Sequence, residues 1–253
     1  MTKIISIFNQ KGGVGKTTTN VNLCAGLALK GKRVLSIDID PQGNSTSGFG
    51  IEKNKLEYTI YDVLVEDYDI NKIIHKTEIE NLDLVPANIQ LAGAEIELTN
   101  TIHREKTLKE KIRTIEKQYD FIIIDCPPSL GLLSLNALTV SNTVLIPIQC
   151  EYYSLEGVSQ LMDTVKLVRR NLNPDLEIEG VVLNMFDGRT NLSIQVVEEV
   201  KKYFKDKVYR TVIPRNIRLA EAPSFGQPIM LYDEKSKGSE AYLKLSDEII
   251  KNN

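Results

Sequence analysis

The chain has 253 residues, 42% of them hydrophobic, and a formal net charge of −3 at pH 7. A chain of this length can bury one large α/β core, so we expect a single domain over residues 1–253. Charge is shifted only slightly towards basic residues in 181–253, which by itself does not indicate nucleic-acid binding.

The three cysteines, Cys24, Cys126 and Cys150, have neither C-x-x-C nor Cys/His spacing. The spacing therefore indicates neither a disulfide framework nor a zinc site, and it favours a reducing cytoplasm. The apolar run at residues 4–8 is too short for the core of a signal peptide, and no stretch reaches the length of a membrane span. We therefore expect a soluble, cytoplasmic protein.

Short β-branched runs alternate with helical patterns, which indicates βαβ units. The predicted fold class is α/β, a doubly wound and mostly parallel sheet flanked by helices on both faces. In chain order, strands are predicted at residues 3–8, 33–38, 82–86, 121–125, 143–149, 178–185 and 207–213. Helices are predicted at residues 16–30, 60–65, 91–98, 104–117, 133–141, 155–170, 191–204 and 239–250. Residues 43–79 have the least regular pattern, and their glycines and lysines indicate a mobile loop region.

The first predicted strand is followed by KGGVGKTT at residues 11–18. A glycine-rich loop that enters a helix can aim backbone N–H groups at a phosphate, and the helix N-terminus adds partial positive charge. Lys16 would reach the β- and γ-phosphates of a nucleotide, and the Thr17 hydroxyl would coordinate Mg²⁺. A surface turn is the structural alternative, which the strand before and the helix after disfavour. The predicted nucleotide-binding residues here are Lys11, Gly12, Gly13, Val14, Gly15, Lys16, Thr17 and Thr18.

The loop departs in two ways from the usual G-x-x-x-x-G-K-[ST] pattern. Gln10 stands where the first glycine is expected, and Lys11 is an additional cation. A side chain at the start of a phosphate loop points away from its own nucleotide more easily than into it. We therefore interpret Lys11 and Lys16 as catalytic cations, with the phosphate of a second chain as the candidate target of Lys11.

Acidic residues end two of the predicted strands. Asp38 and Asp40 lie two residues apart in extended backbone, so both are expected to point to the carboxyl edge of the sheet, near the phosphate loop. Asp125 ends the apolar run at residues 121–124, which is typical of a carboxylate that binds Mg²⁺ through a water. A solvated turn is the alternative for Asp40, because an Asp-Pro-Gln-Gly sequence favours turns.

Together these motifs resemble the ParA/MinD group of P-loop ATPases, whose deviant Walker A motif carries a signature lysine that crosses a dimer interface. Residues 38–44 (DIDPQGN) and 122–128 (IIIDCPP) are similar to the second and third motifs of that group. Residues 149–157 (QCEYYSLEG) and 213–216 (IPRN) resemble the Soj-type ParA proteins, which are chromosome-partitioning ATPases of bacteria. The resemblance covers essentially the whole chain.

This resemblance implies ATP and Mg²⁺ as cofactors and slow hydrolysis, with Asp40 as the catalytic residue that orients or activates the attacking water. It implies that Asn184 reads adenine by its amide, and that Pro214 and Asn216 pack on the ring or hydrogen-bond to it. A strand-end cap and a plain turn are the structural alternatives for Asn184 and Pro214. The implied metal ligands are Thr17, Asp38 and Asp125.

The implied partners are a second copy of the chain, in an ATP-dependent homodimer, double-stranded DNA of any sequence, and a ParB/Spo0J-like protein. Arg189 and Arg218 match basic DNA contacts of the Soj-type proteins, which predicts a nucleoid-associated protein. For the lysine run at 201–207, the solvated face of a helix is the structural alternative. The sequence leaves open whether a replication initiator is a further partner.

Three other function classes share parts of this pattern. A MinD-like membrane-associated positioning ATPase needs a basic amphipathic tail, whereas residues 241–253 carry Asp247 and Glu248 on the polar side. An electron carrier like the nitrogenase iron protein needs paired cluster cysteines in glycine-rich loops, a setting that Cys126 lacks. A ligase of the dethiobiotin synthetase kind shares the phosphate loop but not the DPQGN or QCEYY stretches. A partition ATPase is the predicted function, and the MinD-like ATPase is the alternative.

Overall fold

The computed structural model describes residues 2–151 and 156–253, which build one sheet between two layers of helices. The strands are β1 (Lys3–Ile7), β2 (Val34–Asp38), β3 (His75–Lys76), β4 (Leu82–Val85), β5 (Phe121–Asp125), β6 (Thr143–Gln149), β7 (Glu177–Phe186) and β8 (Val208–Pro214). Their order across the sheet is β3-β4-β2-β5-β1-β6-β7-β8. All neighbouring strands are parallel except β3 and β4.

Helices cover both faces of this sheet. They are α1 (Lys16–Leu29), α2 (Asn44–Gly48), α3 (Ile60–Val65), α4 (Leu91–Glu97), α5 (Thr107–Ile112), α6 (Leu132–Val140), α7 (Glu156–Asn171), α8 (Asn191–Phe204), α9 (Ile217–Glu221), α10 (Ile229–Tyr232) and α11 (Lys237–Asn252). One apolar core lies under α3 to α8, and the other lies under α1 and α9 to α11. The predicted doubly wound α/β fold is confirmed. Among the helices described, none is long and apolar enough to cross a membrane.

Burial on both faces explains why the central strands read as continuous apolar runs. All five residues of β2 and all five of β5 are buried. In β1, Ile5 and Ile7 belong to the core under α1, whereas Ile4 belongs to the core on the opposite face. This alternation follows from the two-residue period of a strand.

The parallel register brings three loop starts to the same edge of the sheet. Ile7 at the end of β1 and Asp38 at the end of β2 are both register partners of Asp125 at the end of β5. The loops that leave these strands therefore begin side by side, at the edge where open α/β sheets bind their ligands.

The last helix packs directly on the helix that follows the phosphate loop. A Cβ atom at Gly26 of α1 would lie 2.3 Å from the Oγ of Ser246 in α11, so a side chain at this position would force Ser246 to move. Tyr242 of α11 is fully buried, with its hydroxyl 3.4 Å from the Oγ1 of Thr19. The two helices thus form a closely packed pair behind the phosphate loop.

Most predicted elements are confirmed to within two residues, but residues 43–79 are more regular than predicted. They contain the short elements α2 and β3 in addition to α3, which was predicted with the same bounds. Gly43 begins α2 with a φ of 59°, a backbone conformation that favours glycine. Gly48 ends α2 against α1, where an added Cβ would lie 2.9 Å from Val21. Glycines that suggested mobility are instead required by close packing.

The predicted helix at 104–117 is also shorter in the structure, where α5 covers only Thr107–Ile112. Its first turn is set from outside by Asn136 of α6, whose Oδ1 accepts from the Leu108 N–H and whose Nδ2 donates to the Arg104 carbonyl. The helix predicted at 155–170 is confirmed as α7 from Glu156 onwards. Tyr152, Tyr153, Ser154 and Leu155 of the predicted motif lie outside the described residues.

Candidate nucleotide-binding site

The loop between β1 and α1 forms an open cradle of backbone. Gly13 and Gly15 have φ values of 75° and 89°, which place the loop in a conformation that favours glycine. A Cβ added at Gly12 or Gly13 would meet no atom within 4 Å, so this side of the loop is open. Such a cradle at the start of a helix suits a phosphate group.

Lys16 lies folded back along this loop. Its Nζ donates to the carbonyl oxygen of Lys11 at 3.2 Å, and the side chain is largely buried. Burial lowers the pKa of Lys16, whereas the nearby charge of Asp125 acts in the opposite direction. Lys11 is half-buried at the start of the loop. The ammonium group of Lys16 therefore contacts the backbone of Lys11.

Asp125 is the central polar group under the loop. It is fully buried, and its Oδ2 accepts hydrogen bonds from the hydroxyls of Thr17 at 2.8 Å and Ser45 at 2.7 Å. Its Oδ1 is buried and has no hydrogen-bond partner in the part of the chain that the structure describes. Burial raises the pKa of Asp125, and the charge of Asp38 raises it further. A cation near Oδ1 would satisfy this atom and favour the carboxylate.

The oxygen atoms of Thr17 and Asp125 suit Mg²⁺ as a metal ion. In the described chain, no three His, Cys, Asp or Glu side chains group into a complete protein ligand set. Mg²⁺ does not need one, because it keeps several waters and is held by one or two carboxylates together with substrate phosphates. Thr17 and Asp125 next to an open phosphate cradle provide this arrangement.

Asp38 and Asp40 lie beside Asp125 but have other contacts. The Asp38 Oδ2 accepts from the N–H and the hydroxyl of Thr46, both at 2.8 Å, and its Oδ1 accepts from the Asp40 N–H at 3.2 Å. Burial raises the pKa of Asp38, while the hydrogen bonds from Thr46 lower it. Asp40 accepts from the N–H of Gln42 at 2.9 Å. The structure brings the three carboxylates together, with Asp38 occupied in holding the loop that carries Asp40.

The predicted base-binding residues lie around one cavity beside the phosphate loop. Asn184, Pro214 and Asn216 line it together with Gly15 and Thr18, and Met185, Ile213 and Tyr242 complete much of the wall. The Asn184 Nδ2 donates to the Val14 carbonyl at 2.9 Å and to the Thr19 hydroxyl at 3.1 Å. Its Oδ1 is buried without a partner in the described chain.

The side chains at the cavity entrance are oriented by the fold. Asn216 accepts from the N–H of Arg218 at 2.8 Å and so caps α9. Asn184 is not merely a strand-end cap, because its amide supports the phosphate loop. The cavity and the cradle are continuous through Gly15, as a nucleotide site requires.

The predicted DNA contacts lie outside this cavity. Arg189 follows β7 and makes two hydrogen bonds with Asp187, at 2.8 and 2.6 Å. Arg218, in the first turn of α9, pairs with Glu221 at 3.0 Å and with Asp233 at 3.5 Å. Both arginine side chains are more than half exposed. Each is accessible, and each is paired with carboxylates of its own chain.

Several polar residues of the site were not predicted. Asn20, Ser45 and Thr46 are fully buried around Asp38 and Asp125, and Tyr242 lies behind the cavity. Ser45 and Thr46 directly follow the DPQGN motif, so two hydroxyl residues after an acidic loop were the signal available. Asn20 and Tyr242 lie on helices and have no comparable pattern.

Comparison with known proteins agrees with this geometry. The family profile described as "AAA domain" matches residues 2–178. The sporulation initiation inhibitor protein Soj of Bacillus subtilis (strain 168) is 66% identical over 252 residues, which are 100% of this chain and 100% of that protein. The chromosome partitioning protein ParA of Myxococcus xanthus (strain DK1622) is 56% identical over 249 residues, covering 98% of this chain and 88% of that protein.

The fold is also found in a solved structure with nucleotide. Cobyrinic acid a,c-diamide synthase from Mycobacterium smegmatis with bound ADP and magnesium superimposes with a TM-score of 0.88 at 37% sequence identity. The match covers 100% of this chain and 95% of that chain. Because the Soj and ParA relatives are more similar in sequence and align over nearly the whole chain, this chain belongs to the ParA/Soj family of chromosome-partitioning proteins, within the ParA/MinD group of P-loop ATPases.

Proposed function

We propose that this chain is an ATPase of bacterial DNA partitioning that works as a dimerising switch. ATP holds two copies together, the dimer binds DNA of any sequence, and slow hydrolysis, stimulated by a ParB/Spo0J-like protein, releases it. The observation that carries the nucleotide-binding step is the unpartnered Oδ1 of Asp125, buried beside Thr17 under an open glycine cradle. The partitioning role is supported by the names of the relatives.

Within one subunit, the residues have separate tasks. The N–H groups of Gly12 and Gly13 and the ammonium of Lys16 bind the phosphates, and Thr17 and Asp125 hold Mg²⁺. When bound, Mg²⁺ supplies positive charge opposite the β- and γ-phosphates. Asp38 adds negative charge next to Asp125 and fixes the loop that places Asp40. The other proposed nucleotide-binding residues of the loop are Lys11, Val14, Gly15 and Thr18.

The base and the attacking water are handled by other residues. Asn184 offers its Oδ1 to the amino group of adenine, since its Nδ2 is engaged by the phosphate loop. Pro214 and Asn216 close the cavity around the ring. Asp40 orients the attacking water, a task for which a carboxylate within reach of the γ-phosphate is suited.

Lys11 links hydrolysis to dimerisation. Phosphoryl transfer depends mainly on neutralising the charge of the γ-phosphate, so a cation that arrives from the partner subunit can control the rate. Hydrolysis removes the charge that holds the two copies together, and the dimer separates. Low turnover follows, because a long-lived ATP state is the functional state.

Dimerisation also explains control of DNA binding without any contact between ATP and DNA. Two copies present twice the number of cations, and DNA affinity rises with the number of phosphates neutralised. Arg189 and Arg218 are accessible for this contact. The apolar side of α11 is used for packing in the core, where Tyr242, Leu245 and Ile249 are fully buried. This favours DNA over a membrane as the surface bound.

Sedimentation with ATP, ADP or no nucleotide, each with and without DNA, tests the proposal. We expect a dimer and co-sedimentation with DNA only in ATP, and phosphate release that requires no second substrate. Equal DNA binding in ADP would contradict the switch. ATP-dependent binding to anionic lipid vesicles instead of DNA would support the MinD-like alternative.

A further inference from the structure

The short helix α2 connects two buried carboxylates through neighbouring hydroxyl groups. The Ser45 hydroxyl donates to the Oδ2 of Asp125 at 2.7 Å. The Thr46 hydroxyl and N–H both donate to the Oδ2 of Asp38 at 2.8 Å. Ser45 and Thr46 are fully buried. The position of α2 is therefore linked to the orientation of both carboxylates.

The direction of the Ser45 hydrogen bond is fixed by Asn20 of α1. The Asn20 Nδ2 donates to the Ser45 Oγ at 2.8 Å and to the Ser36 Oγ at 2.8 Å. An amide nitrogen only donates, so the Ser45 oxygen accepts from Asn20 and directs its own proton to Asp125. A buried relay runs from Asn20 through Ser45 to the carboxylate.

This relay fixes the direction in which the available oxygen of Asp125 points. A carboxylate oxygen accepts about two hydrogen bonds, and Oδ2 receives one from Thr17 and one from Ser45. Oδ1 is left as the buried acceptor without a partner in the described chain. Without the Ser45 donor, only Thr17 holds Oδ2, so the carboxylate plane can rotate and the unpartnered oxygen is no longer held in one direction.

Tight packing makes α2 respond as a unit with the loop before it. A Cβ at Gly43 would lie 2.7 Å from the Ala87 carbonyl oxygen, and one at Gly48 would lie 2.9 Å from Val21. The Gly43 N–H also donates to the Asp40 carbonyl at 2.9 Å. A movement of the Asp125 carboxylate that displaces Ser45 is therefore transmitted to the loop of Asp40.

We propose that Ser45 is a positioning residue that orients Asp125 for Mg²⁺ and couples occupancy of the metal site to the loop carrying Asp40. This inference rests on the proposed function, since it assigns a task within the same Mg·nucleotide site. It adds Ser45 and Asn20 to the residues on which metal binding depends, although neither contacts the metal.

The test compares Ser45→Ala with Ser47→Ala. Ser47 lies on the same helix, and its hydroxyl donates to the Gly43 carbonyl rather than to a carboxylate. Binding of a fluorescent ADP analogue is measured in EDTA and then along a Mg²⁺ titration. Because partners that orient a metal ligand typically account for 10–100-fold in metal affinity, we expect the Mg²⁺ midpoint of Ser45→Ala to rise roughly tenfold. Binding of the analogue in EDTA should match wild type in both variants. The Mg²⁺ midpoint of Ser47→Ala should also match wild type.

Hydrogen exchange of residues 40–48 provides a second measurement that does not depend on turnover. Adding Mg²⁺ to the ADP complex should slow exchange there in wild type and in Ser47→Ala, but much less in Ser45→Ala. If Ser45→Ala does not fold, Ser45→Cys takes its place, because the thiol has similar volume and donates weakly. For Ser45→Cys, a severalfold rise of the midpoint is expected.

A wild-type Mg²⁺ midpoint in a folded Ser45 variant would overturn this inference and leave the proposed function intact. Wild-type protein that binds the ADP analogue without any dependence on Mg²⁺ would overturn both. Exchange that Mg²⁺ slows equally in all variants would show that the metal site is coupled to α2 without Ser45, and it would overturn this inference.

Discussion

Among single residues, Asn184 is closely fitted to the phosphate loop. A Cβ at Gly15 would lie 2.7 Å from the Asn184 Nδ2, and that nitrogen donates to the Val14 carbonyl. The base-binding side chain and the phosphate loop thus hold each other in place. A change at either residue is expected to disturb both ends of the nucleotide.

Alanine substitutions of the two lysines in the loop should impair different steps. We expect Lys16→Ala to abolish nucleotide binding, because Lys16 contacts the phosphates of its own subunit. Lys11→Ala should keep binding close to wild type but lose dimerisation and hydrolysis. Fluorescent-nucleotide titration and sedimentation in ATP separate the two outcomes. Hydrolysis at the wild-type rate by Lys11→Ala would refute the assignment of Lys11 to the partner's phosphate.

Asp40 should affect a later step than either lysine. If it orients the water, Asp40→Ala binds ATP, dimerises and stays dimeric, because only the step after assembly is removed. Size-exclusion chromatography in ATP would show a dimer that persists as wild type returns to monomer. A monomer at saturating ATP would mean that Asp40 instead stabilises the loop or contributes to metal binding.

At the scale of elements, periodicity and apolar runs were sufficient for the strands and for the long helices. Strand β5 and helix α8 have the predicted bounds, because burial on both faces and a single apolar stripe leave clear patterns. The helices α2, α9 and α10 have at most five residues, too few for a helical period. Glycine geometry and side-chain caps determine them, as Asn216 does for α9.

The same distinction holds for the site. Lys16, Thr17 and Asp125 could be predicted because each lies in a short motif, at the end of a strand or directly after the loop that leaves one. Tyr242 could not, since no motif marks it and its partner Thr19 lies 223 residues away in sequence. For Ser45, the one available signal was its position directly after the DPQGN motif. Contacts between distant elements leave no local pattern.

The contact between α1 and α11 gives a test of packing between elements. Alanine at Gly26 gains about 0.5–1 kcal/mol of helix propensity. Its Cβ, however, would lie 2.3 Å from the Ser246 hydroxyl and 3.3 Å from the Ser246 Cβ, and such overpacking costs about 1–3 kcal/mol. We therefore expect Gly26→Ala to lower the free energy of unfolding in urea, and Ser246→Ala to restore part of it. A Gly26→Ala variant more stable than wild type would contradict the close packing.

At the scale of the whole molecule, the proposed DNA contacts are spread over separate elements and act by charge. Arg189 lies before α8 and Arg218 lies within α9, and each shares its charge with neighbouring acids. A DNA phosphate has to compete with these carboxylates. A single arginine therefore contributes modestly, and useful affinity requires the sum over a dimer.

Charge reversal measures this sum. Arg189→Glu and Arg218→Glu should leave ATP-dependent dimerisation unchanged and weaken binding to DNA of any sequence, because a phosphate contact carries no base information. The salt dependence should become shallower by about one unit of slope per contact per subunit. Arg113→Glu, at an exposed arginine after α5, is the matched control. Unaltered affinity in both variants at low salt would place the basic surface elsewhere, with Lys201, Lys202, Lys235 and Lys237 next to be tested.

The packing of α11 on α1 has a consequence for the synthesis of the chain. The phosphate-loop helix ends at Leu29, and α11, which covers one side of it, begins more than 200 residues later in the chain. During synthesis, one apolar side of α1 therefore has no packing partner while the rest of the sheet is translated. Contacts of such long range form late in folding. We expect α1, and with it the phosphate loop, to reach its final packing only after α11 has been made.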